Sequence, residues 1–206
     1  MSFYTKITGT GREKKREFFL PYITGKDVLD IGCAGEEKNR FLNPDWMHQY
    51  VKAAAKSCVG LDHNKEVVEE GKTLGFNLIE GDAQDFHFDQ EFDIVCAFDI
   101  IEHLQDFKGF FTSVTRVLKA DGKLLISIPN PWFFMTSARY FLTGKTGVNA
   151  DHVCWFCVDT IRELLKRYNL AIERVELGSG EKRLYCYVFL PKSFRHTSIF
   201  IVAKKK

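Results

Sequence analysis

Apolar residues recur along this chain with two periods that take turns. Short compact runs, DVLDIG (27–32), CVGLD (58–62), FNLIEGD (76–82), FDIVCAFD (92–99) and GKLLISIP (122–129), are rich in Val, Ile, Leu and Phe. That is the pattern of strands buried on both faces. Between them the period becomes helical. Residues 106–118 set Phe107, Phe110, Phe111, Val114, Val117 and Leu118 along one stripe, and 45–56, 64–74 and 158–168 also read as helices. Asp62-His63-Asn64 offers cap residues to the helix at 64–74, and Asp121-Gly122 predicts a turn ahead of the fifth strand. Strand alternating with helix is the sequence form of an α/β fold with a mostly parallel sheet. AIERVEL (171–177) and SIFIVAKK (198–205) have no helix-length pattern between them, which predicts an antiparallel pair at the sheet edge.

The length of 206 residues suits one domain, 1–206, with an N-terminal basic helix region at 1–25 and an insertion or flap at 178–197. In GREKKREFF (11–19), Arg12, Lys14, Lys15 and Arg16 fall on one helix, with Phe18, Phe19 and Tyr22 expected to pack inward. A solvated basic face is the plain reading, and a phosphate-bearing substrate or anionic surface the sharper one. The net charge of +2 is too small to imply nucleic acid, and none is expected as a partner. No apolar run approaches the roughly 20 residues of a membrane span, and no signal peptide is evident, so a cytoplasmic enzyme is the expectation. The oligomeric state is not legible.

The six cysteines show no disulfide-framework spacing. Cys33, Cys58 and Cys96 sit in or beside apolar runs, where a reduced thiol acts as a small hydrophobe. His152, Cys154 and Cys157 are close in sequence, but no second ligand pair with zinc spacing accompanies them, so packing is preferred and no metal is expected.

Polar residues concentrate where strands end. VLDIGCAGE (28–36) closes the first strand on Gly32, where a backbone without a Cβ can approach a ligand closely. Ligands of open α/β sheets bind at the carboxyl ends of strands, near the point where strand order reverses. Asp62 ends the second strand, where a carboxylate can accept from both hydroxyls of a ribose and disfavours a 2′-phosphate. Asp82, followed by Ala83, ends the third, and AFDIIEHL (97–104) places acidic and histidine residues after the fourth. Any one of these acids could be a turn former, but four polar strand ends together point to a site.

The ordered runs VLDIGCAGE, VGLD, EGDAQDF, FDIVCAFDIIEHLQD and LKADGKLLISIPNP resemble the motifs of class I S-adenosylmethionine-dependent methyltransferases, especially a subgroup with EHL after the fourth strand and PNP after the fifth. DHVCWFCVDTIRELLKRYNL (151–170) is similar to that subgroup too, and the resemblance spans about residues 26–177. It implies a Rossmann-like three-layer sandwich with a mostly parallel seven-stranded sheet and an antiparallel C-terminal strand. It implies S-adenosylmethionine as cofactor: Asp30 and Gly32 at its methionine end, Asp62 at the ribose hydroxyls, Asp82 and Ala83 flanking the adenine, Phe98 near the methyl, with Cys33, Ala34 and His63 also among the cofactor-binding residues. The chain departs from the family's GxGxG turn, reading Gly32-Cys33-Ala34-Gly35-Glu36.

Methyl transfer requires a base only when the acceptor must lose a proton, as a hydroxyl does. His103 is the first candidate and His152 the second, the latter following a lid-like stretch, LTGKTGVNAD (142–151). Glu102 and His103 could instead anchor a loop or cap a helix. Trp132, Phe133, Phe134, Tyr140 and Trp155 could line an acceptor pocket or pack under the sheet, and Asn130 could touch the acceptor or form a turn. The acceptor expected from the resemblance is a small molecule or glycan, methylated at oxygen. Two rivals stand beside this reading. A non-catalytic scaffold would be explained by Glu36; an NAD-dependent oxidoreductase would want G-x-G-x-x-G, which the run from Gly32 lacks.

Overall fold

The computed structural model describes residues 11–35, 40–145, 147, 149–180 and 189–206. Helix α1 (Gly11–Ile23) leads into β1 (Asp27–Ile31), α2 (Met47–Ala54), β2 (Ser57–Asp62), α3 (Lys65–Thr73), β3 (Leu78–Glu80) and β4 (Phe92–Phe98). Helix α4 (Phe107–Val117), β5 (Leu118–Pro129), α5 (Phe134–Thr143), α6 (Val158–Arg167), β6 (Leu170–Gly180), α7 (Lys192–Arg195) and β7 (His196–Lys205) complete the order. The seven strands form one sheet in the order β3-β2-β1-β4-β5-β7-β6. All neighbours from β3 to β5 are parallel, while β7 runs antiparallel to both β5 and β6. The expected antiparallel edge pair is present, with β7 inside and β6 at the rim.

Alternation along the strands assigns the two faces of the core. Leu29, Ile31, Val95, Ala97, Leu124 and Ile126 pack with Phe110, Phe111 and Val114 of α4 and with Ile161 and Leu165 of α6. Their sequence neighbours Val28, Ile94, Cys96 and Leu125 face Phe18, Phe19 and Ile23 of α1 and Val51 of α2. Burying each large side chain contributes about 1.5–3 kcal/mol, so the central strands, apolar on both faces, anchor the molecule. Asn64 and Asp106 cap α3 and α4, their side chains accepting from the amides of Val67 and Gly109.

Two local expectations change. Asp121-Gly122 is no turn: β5 begins at Leu118, directly after α4, and the irregularity is a register shift in the pairing with β4 between Phe92 and Ile94. Pairing of Leu118 with Phe92, both fully buried, holds those residues in the sheet. Helix α5 was not foreseen, and it buries none of its residues, so no core stripe marked it in the sequence. Much of the 178–197 segment and Glu36 lie outside the described residues.

Candidate functional site

Strand register gathers the strand ends into a row. Ile31 pairs with Leu61 on one side and Ala97 on the other, so Gly32, Asp62 and Phe98, each one residue further, stand abreast at the carboxyl edge. This is also where strand order reverses, between β1 and β4, the position at which open α/β sheets form a binding crevice. Gly32 has φ +67°, and a Cβ there would meet Ile100 Cδ1 at 2.3 Å. The positive φ favours glycine there, and any side chain would also have to displace the tip of Ile100.

Asp62 is buried, and its carboxylate holds the loop after β1. Oδ2 accepts from the amides of Ala34 at 2.8 Å and Gly35 at 3.0 Å, and Oδ1 accepts from Asn64 at 3.0 Å. Three of a carboxylate's roughly four acceptor sites are thus engaged, and Oδ1 is the freer oxygen. The loop after β1 creases against this buried carboxylate, which keeps one acceptor position free. His63 is largely exposed, with Nδ1 3.6 Å from Asp62 Oδ1. At the end of β3, Asp82 is exposed and accepts from the Gln84 amide at 2.8 Å, while Ala83 packs against the core.

Asp30, Cys33 and Ala34 are in the support of this crease rather than on its surface. Asp30 is buried and its Oδ2 lies 2.8 Å from Nδ1 of His48 in α2, itself buried. The Cys33 carbonyl accepts from the Trp46 indole at 2.6 Å, and burial pushes the Cys33 thiol far up. His48 and Trp46 were missed in the sequence, where nothing local marks a histidine and a tryptophan as props for a strand some fifteen residues earlier.

On the far side of the row, Phe98 packs against Phe19 of α1 with ring centroids 4.7 Å apart. The Lys15 ammonium stands 5.0 Å from the Phe98 ring and 2.5 Å from Asp99 Oδ2. Asp99 has φ +54°, uncommon for a residue with a side chain, and its Oδ1 accepts from Ser127 at 2.8 Å. The basic helix is therefore not simply a solvated face: Lys15 reaches the site, and Arg16 pairs with Asp45 at 3.2 Å over the Tyr50 ring.

A 3-10 turn, Ile101–His103, follows. It is tied to the distant 152–154 segment by the amides of Val153 and Cys154, which donate to the Glu102 carbonyl at 3.0 and 3.4 Å. The result brings His152 against His103, ring centroids 4.6 Å apart and planes at 89°. Glu102, His103 and His152 each offer a ligand atom within 4.8 Å of the others. Glu102 is 1% exposed, and among the described residues neither of its carboxylate oxygens has a hydrogen-bond partner; nor has the buried Nδ1 of His152. Burial, and then the neighbouring Asp99 charge, push the Glu102 carboxyl up to about 8. Burial, then His103, lower the His152 imidazole, so it is neutral at pH 7.

The metal set weighed in the sequence is not the one that assembles. His152 turns to Glu102 and His103, whereas the Cys154 thiol lies 3.7 Å from the Glu102 carbonyl and the Cys157 amide donates to the Thr160 hydroxyl at the start of α6. Asn130 takes the turn role: its amide donates to the carbonyls of Ser193 and His196, and its Oδ1 accepts from Trp132. The aromatic group after β5 is not core. Trp132 and Tyr140 are more than half exposed, and Phe133, Phe134 and Trp155 are only half-buried.

Comparison with known proteins identifies the family. A family model described as a methyltransferase domain matches residues 10–175. The ubiquinone biosynthesis O-methyltransferase of Dictyostelium discoideum mitochondria is 26% identical over 136 residues, covering 58% of this chain and 40% of that protein. A probable S-adenosylmethionine-dependent methyltransferase of Mycolicibacterium smegmatis is 31% identical over 152 residues, 72% of this chain and 53% of that one. The chain thus spans about half the length of the curated relatives it matches. A solved methyltransferase from Archaeoglobus fulgidus superimposes over 100% of both chains with a TM-score of 0.66 at 18% identity, a likeness of fold.

Proposed function

Since the chain belongs to the class I S-adenosylmethionine-dependent methyltransferases, we propose that it moves a methyl group from that cofactor to an oxygen of a small-molecule or glycan acceptor. The observation that carries this reading is the row Asp62, Gly32 and Phe98, with Glu102, His103 and His152 assembled just beyond it. When bound, S-adenosylmethionine supplies a sulfonium methyl that is attacked in line, the bonding pair staying on sulfur as a thioether.

The chain's own residues do the rest. Asp62 would accept from the ribose hydroxyls, Asp82 and Ala83 would flank the adenine, and the bare backbone at Gly32 would admit the methionine end. The Phe98 ring would stand beside the methyl, holding donor and acceptor in line; such positioning can lower a barrier by about 7–11 kcal/mol. His103 and His152 lie on the acceptor side, where a neutral imidazole has a lone pair for the proton that a hydroxyl loses as its oxygen bonds to carbon. Support for oxygen comes from the relative in Dictyostelium, whose name makes it an O-methyltransferase.

The test is calorimetric titration of the purified protein with S-adenosylmethionine and, separately, NAD, followed by transfer of labelled methyl to a panel of hydroxylated acceptors. Binding of the first alone, with label on oxygen, supports the reading; a folded protein that binds neither removes it. His103→Ala is expected to slow turnover by about 10²–10⁴-fold, while cofactor affinity holds.

A further inference from the structure

We propose that the cavity walled by α1, β6 and α7 binds a phosphate ester on an apolar body, and that it anchors the phosphate-bearing end of the methyl acceptor. The cavity measures about 870 Å³, the size of a small-molecule site. Its floor is aromatic. Phe18 and Phe200 meet there with ring centroids 5.6 Å apart, and Tyr22 lies 6.2 Å from Phe18. Gly178 of β6 leaves room for the Phe200 ring, into which a Cβ at that position would run.

The charge around this floor is not balanced. Lys14, Arg174, Lys192 and Arg195 line the cavity against two carboxylates, Glu17 and Glu176. Arg174 is paired with Glu176 at 2.8 Å and stands over the Phe18 ring at 4.8 Å. Among the described residues, neither Lys192 nor Arg195 has an ion-pair partner, and the buried Nε of Arg195 has no hydrogen-bond partner. His196, which donates from Nδ1 to the Lys192 carbonyl at 2.6 Å, feels the excess. Its imidazole is lowered by burial first, and the charges of Lys14, Arg195 and Lys192 add to that against the opposing pull of the carbonyl. A guanidinium fork beside an ammonium suits phosphate oxygens. The surplus of two cations matches the roughly two negative charges of a phosphate monoester, where a carboxylate would leave one over.

Position links the cavity to the reaction, a step that rests on the methyltransferase reading above. Asn130, at the end of β5, holds α7 by donating to the carbonyls of Ser193 and His196 at 2.5 and 2.7 Å. Register sets Ser198 beside both Pro129 and Gly178, so the cavity opens at the carboxyl edge of the sheet. Phe19 joins its floor to the crevice, with its ring 5.3 Å from Phe200 and 4.7 Å from Phe98. An acceptor anchored by its phosphate at α7 extends across α1 and brings its hydroxyl toward the methyl beside Phe98.

The probe is phenyl phosphate, titrated calorimetrically into the full chain with and without S-adenosylmethionine. Saturable binding at one site is expected, tighter than that of phenol or inorganic phosphate and retained when S-adenosylmethionine is present. Arg195→Ala should weaken it about tenfold or more, and Lys192→Ala, at an exposed position, about two- to fivefold. Circular dichroism checks folding; if Arg195→Ala does not fold, Lys192→Ala decides. No saturation at millimolar phenyl phosphate overturns the site, as do unchanged binding in both variants and equally tight binding of phenol. Displacement by S-adenosylmethionine overturns it too, since the probe would then lie in the cofactor crevice. Competition of phenyl phosphate with a methyl acceptor supports the anchoring role. Transfer indifferent to saturating phenyl phosphate overturns that role and keeps the methyltransferase reading. Phenyl phosphate bound at Arg195 in a protein that labels no hydroxyl keeps the site and removes transfer to oxygen.

Discussion

The two edges of the sheet are built from similar side chains and treat them in opposite ways. At the amino edge, Asp27 accepts from Ser57 at 2.8 Å, and Asp93 accepts from Lys119 at 2.8 Å and from the Asp27 amide at 2.8 Å. Both carboxyls lie below the ordinary range, Asp27 chiefly through the Ser57 hydrogen bond and Asp93 chiefly through Lys119. At the carboxyl edge, the Glu102 side chain is more deeply buried yet has no hydrogen-bond partner among the described residues, and its carboxyl is pushed the other way. An acid that holds strands together is given its partners by the fold. Glu102, buried beside His103 and His152, is left without a hydrogen-bond partner among the described residues.

The largest effect expected from breaking this contrast is at the crease. Asp62→Ala should weaken S-adenosylmethionine binding by about 1.5–3 kcal/mol, the range for hydrogen bonds to a charged group, and calorimetry reads it directly. Unchanged affinity in a folded variant would take Asp62 out of the site.

Next is the sign of the pH dependence. A carboxyl raised on folding stabilises the native state fully below its unfolded value near 4.5, and that contribution disappears as pH climbs through about 8. Thermal unfolding of the purified protein should therefore show Tm falling across that window, and Glu102→Gln should flatten the fall. A parallel slope in the variant would assign the pH effect to another group.

The smallest effect lies at the amino edge, where Asp93→Asn should cost no more than about 1 kcal/mol because the Lys119 pair is partly solvated. Lowered carboxyls contribute stability above their unfolded values and lose it as pH falls through the folded ones. The variant should therefore differ from the parent chiefly above about pH 4, and turnover should not change.

Periodicity alone was enough to place the seven strands and the core helices, because those elements are defined by what they bury. Where burial gave no stripe, as in α5, the sequence was silent, and where a turn signal competed with a buried strand pair, as at Asp121-Gly122, tertiary pairing prevailed. The crevice was legible for a similar reason. Gly32, Asp62, Asp82 and Phe98 lie at or just past strand ends, and parallel register carries such positions to one edge of the sheet. No period or spacing reveals what lies across that edge. That Asp30 is held by His48, that Lys15 reaches Asp99, and that His152 meets Glu102 and His103 from some fifty residues away depends on how loops dock after the sheet has formed. Local sequence determines which residues stand at the carboxyl edge; long-range packing decides which are satisfied there and which are left unpaired.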